Sequence, residues 1–249
     1  MAVMSASSSV NAPTILAIET STELASVALL HRGQLHSRES SGAQTHSASV
    51  PAMIQSLLAD AGLKLSQCDA LAFGMGPGSF TGVRTACGLA QGLAYGASLR
   101  VAPVITLMAM AEAARKSGAG DEVLSVLDAR MGEVYWAQYR FDGQWRCVSE
   151  PTLSASSMVV ATGKPVVCGN GLSAYPDGFA QLGEVRRLPA IMPHAQSVAM
   201  LAVAMVNNDA LLAPRDAQPL YLRNKVALTT AERMAAAGTN VGTRAGASA

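Results

Sequence analysis

Short apolar runs separated by glycine and polar turns cover most of the chain, and they predict alternating strands and helices. Ile15–Ile18 reads as a strand ending at Glu19, followed by the polar turn Thr20–Glu23. Ser26–Leu30 resumes as a strand, and Gly33 turns the chain into Gln34–Glu39, which predicts three antiparallel strands in one hairpin run. Over Ser47–Ala61 the period changes. Val50, Ile54, Leu57, Leu58 and Ala61 share one helical face, and Gly62 fits the C-cap. Asp69–Phe73 and Arg100–Val104 read as strands, and Thr106–Lys116 as a helix with Leu107, Met110, Ala111 and Ala114 on one side. Val123–Leu127 is a buried strand. Glu133–Phe141 opens a hairpin turned by Asp142-Gly143. Val166–Cys168 runs into Gly169-Asn170-Gly171, and Gln196–Val206 is a helix with Val198, Leu201, Ala202 and Met205 aligned. These periodicities predict an α/β protein with mixed sheets.

The stretch Leu71–Gly96, LAFGMGPGSFTGVRTACGLAQGLAYG, is the one around which the chain is organised. A strand breaks into a turn at Gly74, Gly76, Pro77 and Gly78, and Ser79 or Thr81 then caps a helix. In that helix Gly88, Gly92 and Gly96 recur every four residues, within about 40° of one line, and Arg84 heads the row. Each interior glycine costs about 1 kcal/mol relative to alanine, about 3 kcal/mol for the three. Close approach of another backbone would offset that, with Leu89 and Leu93 flanking the row to interlock with a facing helix. The alternative is that the row packs on the chain's own sheet.

Half of the 249 residues are hydrophobic, enough for one large domain or two lobes with a core, and aromatics are only 4%, so the core is aliphatic and alanine-rich. A net charge of +1 argues against a strong electrostatic grip on nucleic acid by this chain alone. The cysteines Cys68, Cys87, Cys147 and Cys168 have no paired spacing, as expected for reduced thiols in a cytoplasmic protein. No apolar run reaches the roughly 20 residues that span a membrane. Residues 1–13 lack the basic start of a signal peptide, and 227–249 are rich in small residues; both are expected to be mostly disordered.

The glycine turn fits no common phosphate or hydrolase template. No lysine lies between Gly74 and Gly96, Ser79 stands where a dinucleotide fingerprint needs its third glycine, and Pro77 stands where a nucleophile elbow needs its first. A tight turn positioning a packed helix and an anion cradle both remain open. The histidines, His31, His36, His46 and His194, form no HxxxH or HExxH pair, so no metal site is expected. Asp128 and Arg130 follow a buried strand and form either a charged pair in a cleft or a turn held by a local salt bridge.

ILAIETST near the start, GPGSFTGVR at the central turn, then DARMGEVYWAQY, GNG and PLYLR together resemble the bacterial TsaB (YeaZ) family over about residues 14–226. The resemblance implies two ribonuclease-H-like lobes of the actin/sugar-kinase/Hsp70-like fold: residues 14–104, with the helix 196–206 packing back on them, and residues 105–226. It also implies a non-catalytic subunit of the machinery that makes threonylcarbamoyladenosine in tRNA. Such a subunit pairs with the transferase TsaD, supports recruitment of the ATPase TsaE, and meets tRNA through the complex; alone it is a candidate homodimer. Arg84, Gly88, Leu89, Gly92, Leu93 and Gly96 are then the expected partner face. In nucleotide-using relatives of the fold, acidic and hydroxyl residues at the first turn hold phosphate and magnesium. Glu19, Thr20, Ser21, Gly76, Gly78, Ser79, Gly169, Asn170 and Gly171 are therefore candidates for vestigial nucleotide or phosphate loops. No cofactor is expected beyond a weak ATP or ADP site at the complex interface. The stretch Val104–Ala111 holds no metal ligand where the partner family carries a paired-histidine motif. Glu19 and Met75 depart from the aspartate and the basic residue common in relatives. The rival reading is an ATP-dependent kinase or ATPase of the same fold; a peptidase has no nucleophile–base pair to support it.

Overall fold

The computed structural model describes residues 12–41 and 46–223. The expectation for the N-terminal tail falls outside these up to residue 11, and that for 227–249 falls wholly outside. The elements run β1 (Ile15–Glu19), β2 (Ala25–His31), β3 (Gln34–Ser40), α1 (His46–Asp60), β4 (Ala70–Gly76), α2 (Phe80–Gly96) and β5 (Val101–Ile105). They continue α3 (Thr106–Lys116), β6 (Glu122–Asp128), β7 (Glu133–Phe141), β8 (Trp145–Ala155), β9 (Val166–Cys168), α4 (Gly171–Ala174), β10 (Arg187–Leu188) and α5 (Ala195–Asn207).

Among the described residues the strands form two five-stranded sheets, ordered β3-β2-β1-β4-β5 and β10-β9-β6-β7-β8. In the first, β1–β2 and β2–β3 are antiparallel, while β1–β4 and β4–β5 are parallel. The second repeats this, with β6–β7 and β7–β8 antiparallel and β6–β9 and β9–β10 parallel. This duplicated order makes two ribonuclease-H-like lobes of the actin/sugar-kinase/Hsp70-like arrangement. The second copy is abbreviated: a short 3-10 turn at Ser156–Met158 stands where the first has α1, and α4 where it has α2.

Strand alternation divides each lobe's core between two sheet faces. Leu16, Ile18, Val27, Leu29, Leu71 and Phe73 face α1 and α2. Ile15, Ala17, Ala28, Ala72 and Ala102 face α5, which offers Ala195, Val198, Ala199 and Ala202. Alanine on both surfaces brings helix and sheet close together. α3 crosses to the second sheet, where Leu107, Met110, Ala111 and Ala114 bury against Val123, Leu127, Tyr135 and Tyr139. Thus α5 returns to the first lobe after the chain has built the second.

Local signals act as their chemistry dictates. Gly62 adopts φ +64 and ends α1 in a Schellman pair, Gly62 N–H to Ala59 O at 3.0 Å and Leu63 N–H to Leu58 O at 2.9 Å. β4 departs from expectation: it continues through Gly74 to Gly76, pairing with β5 across a bulge. Those glycines are strand residues chosen for what lies above them.

Candidate functional site

What lies above Gly74 is Glu19, which is 0% exposed at the end of β1, while Gly76 lies under Leu220 O. A Cβ at Gly74 would overlap the Glu19 carboxylate. Its Oε1 accepts the Ser21 N–H at 2.6 Å, and its Oε2 accepts the Thr106 hydroxyl at 3.3 Å. Thr106 Oγ1 in turn accepts the Gly76 N–H at 3.2 Å. The first-lobe turn is clasped onto the glycine loop at further points. Ser79 N–H donates to Ser21 O at 2.7 Å, and the Thr20 hydroxyl donates to Gly82 O at 2.7 Å. A Cβ at Gly78 would sit 2.6 Å from Ser21 Cβ, and one at Gly82 would overlap Thr20 O. Ser79 also caps α2, accepting the Gly82 N–H at 3.5 Å. Glu19, Thr20, Gly76, Gly78 and Ser79 therefore hold one another, and the glycines provide close backbone contact.

Burial raises the Glu19 pKa above its ordinary 4.5, against the lowering effect of its hydrogen bonds. The native state then holds a proton that the unfolded chain has released, so stability falls as pH rises from about 4.5 through the raised folded value. Glu19→Gln keeps the acceptor for Ser21 N–H and removes the ionisation. The variant's thermal midpoint is expected to gain on wild type as pH rises through this window, with the gap closing again in acid. Parallel melting curves at every pH would refute it.

The second lobe answers with its own packed turn. Gly169 has φ +113, and a Cβ there would overlap Val126 O; one at Gly171 would sit 3.1 Å from the same oxygen. Asn170 Oδ1 accepts the Asp128 N–H at 2.9 Å. Asp128 Oδ1 accepts the Arg130 N–H at 2.8 Å and the Tyr175 hydroxyl at 2.9 Å. These bonds hold Arg130, Met131 and Gly132 at φ 63, 59 and 80, a left-handed run costing each non-glycine residue about 1–2 kcal/mol. Arg130 makes the local pair with Asp128 at 3.3 Å, and it also reaches Glu23 of the first lobe at 2.7 Å.

Between the lobes lies a cleft of about 1030 Å³. Of the loop candidates, Ser21, Gly78, Ser79 and Asn170 line it; Glu19, Thr20, Gly76, Gly169 and Gly171 do not. Leu24, Leu127, Tyr135 and Met192 give it apolar walls. A strap from Ala217 to Arg223, legible in the sequence only as part of PLYLR, crosses its mouth. Ala217 O accepts from Gln91 Nε2 at 3.0 Å, Leu220 N–H donates to Met75 O at 2.7 Å, and Tyr221 OH accepts from Arg84 Nε at 2.7 Å. Arg223 then grips the second lobe through Glu133 at 2.5 Å and Ala129 O at 3.1 Å.

α2 buries Val83, Ala86, Cys87, Ala90 and Ala94. Its opposite side carries Arg84, Gly88, Gly92 and Gly96, all exposed, and a Cβ at any of these three glycines meets nothing within 4 Å. The row does not pack on the chain's own sheet. Leu89 and Leu93 are half-buried and lean on the first core, so the outer face consists of the glycine row with Tyr95, 82% exposed, beside it. Among the described residues no cluster of three or more metal-ligating side chains occurs, and no helix is long and apolar enough to cross a membrane.

The family model described as "TsaD: tRNA N6-adenosine threonylcarbamoyltransferase" matches residues 37–168. The Escherichia coli K12 protein named "tRNA threonylcarbamoyladenosine biosynthesis protein TsaB" is 40% identical over 221 residues, covering 86% of this chain and 96% of its own. Its Haemophilus influenzae namesake is 39% identical over 227 residues, covering 86% and 94%. YeaZ from Pseudomonas aeruginosa superposes with a TM-score of 0.79 at 34% identity, covering 84% of this chain and 100% of that structure. A second Pseudomonas aeruginosa structure, described as similar to "peptidase YEAZ", superposes equally well at 0.79 with 35% identity, covering 85% and 100%. At this identity over most of both chains, and with this superposition, the chain belongs to the TsaB (YeaZ) family.

Proposed function

We propose that the chain acts in tRNA threonylcarbamoyladenosine synthesis as a non-catalytic cytoplasmic subunit that docks on the transferase TsaD through the outer face of α2. The glycine row carries this reading. It is exposed, open to a close-approaching backbone, and maintained at a helix cost of about 1 kcal/mol per interior glycine. The Glu19 carboxylate is enclosed beneath Gly74 and away from the cleft, which supports a scaffold role. Shaping TsaD and supporting TsaE and tRNA recruitment then fall to the assembled surface. When TsaD is absent, the same face is available to a second copy of this chain.

The test is reconstitution with ATP, threonine, bicarbonate, tRNA, TsaE and the adenylate-forming enzyme, with and without TsaD. Modified tRNA is expected only when TsaD is present. A comparable rate in its absence would overturn the non-catalytic assignment. The cleft volume favours a second reading, an ATPase or kinase of this fold. ATP binding with turnover by the isolated chain would establish that reading instead.

A further inference from the structure

We propose that Phe80, Arg84 and Tyr221 form a stacking site for a purine base at the mouth of the cleft. Aromatics are 4% of this chain, yet Phe80 and Tyr221 are left 37% and 41% exposed against each other. Their ring centroids are 5.5 Å apart at 37°. The Arg84 guanidinium lies 3.6 Å from the Phe80 ring centre and 5.5 Å from that of Tyr221. Both rings line the cleft, and Met131, 62% exposed on the second lobe, lines it too.

The chemistry selects the ligand. An exposed aromatic pair backed by arginine is the arrangement that accepts a nucleobase, because every base has a π-face and arginine adds a cation–π contribution. Arg130 and Arg223 are paired with Glu23, Asp128 and Glu133, whereas Arg84 has no carboxylate partner among the described residues. Its charge is therefore available to the phosphate attached to the base. A larger purine ring covers both aromatics better than a pyrimidine does. The base comes either from a free nucleotide or from an unpaired position in single-stranded RNA. The site requires no docked partner, so it is tested on the isolated chain.

The experiment is fluorescence anisotropy of a labelled single-stranded oligoadenylate at low salt, competed with AMP and with an abasic oligonucleotide of equal length. Wild type is expected to bind the oligoadenylate in preference to the abasic strand. Phe80→Leu and Tyr221→Leu keep apolar volume and are each expected to weaken binding about tenfold, the loss of one base–aromatic stack. Arg84→Gln is expected to lower the salt slope by about one. Thermal melts check each variant, and the two ring positions sit on different elements, so one misfolded variant leaves the other informative. Competition by AMP identifies a free-nucleotide site; binding of the oligonucleotide that AMP does not displace identifies an RNA base. No binding at millimolar AMP or oligoadenylate, equal affinity for the abasic strand, or folded leucine variants that bind like wild type would each overturn the site.

Discussion

Replacing Gly88 and Gly92 together by alanine is expected to make the isolated chain more stable and a worse partner. Both positions are inside α2, and an added Cβ meets nothing within 4 Å, so nothing in this chain opposes the change. Each substitution recovers about 1 kcal/mol of helix propensity, about 2 kcal/mol together. For a chain of this size that corresponds to a rise in Tm of about 4–8 °C. A facing backbone at close range leaves no room for the added methyl groups, so TsaD binding and self-association should weaken in parallel. Thermal melts and size-exclusion runs with and without TsaD read the two effects separately. A lower Tm would mean that the row is packed inside this chain. A higher Tm with undiminished binding would move the partner surface elsewhere.

Gly82→Ala, six residues earlier in the same helix, is expected to do the reverse. Its Cβ would overlap the backbone oxygen of Thr20, whose hydroxyl is bonded to Gly82 O at 2.7 Å. Neither backbone can yield, since Thr20 follows the central strand β1 and Gly82 lies in the capped first turn of α2. Overpacking against a fixed carbonyl should cost about 3 kcal/mol or more, a fall of roughly 6–12 °C in Tm. Soluble yield should drop with it. A Gly82→Ala protein melting within a degree of wild type would show that the turn and helix are not locked together.

The contrast between Gly82 and Gly92 marks what could be read from the chain alone. Period and punctuation placed the long helices and most strands, though not the short α4, because Val50, Ile54, Leu57 and Leu58, or Leu107, Met110 and Ala111, repeat at the spacing of a buried face. The orientation of α2 was not legible. Alanines 86, 90 and 94 share the four-residue spacing of the glycines, and two small-residue rows on one helix do not say which is buried. Glu19 read as the end of a strand running into a polar turn, with nothing to say it was enclosed. Its complete burial depends on the missing side chain at Gly74, a long-range complementarity that local patterning does not carry. The strap was hidden for a related reason. Ala217–Arg223 has no periodicity, and its contacts are to α2, β4 and the second lobe.

The return of α5 to the first lobe has a consequence for synthesis on the ribosome. The Ala195 N–H donates to the Ser26 hydroxyl across 169 residues of chain. The sheet surface of Ile15, Ala17, Ala28 and Ala72 stays uncovered until α5 has left the exit tunnel. By then the second lobe has already been translated. The nascent first lobe must therefore wait, with one apolar face open, while the second lobe is translated, so chaperone engagement should concentrate on nascent chains from which α5 has not yet emerged. Slow codons read after the second lobe but before α5 has emerged would lengthen that exposure.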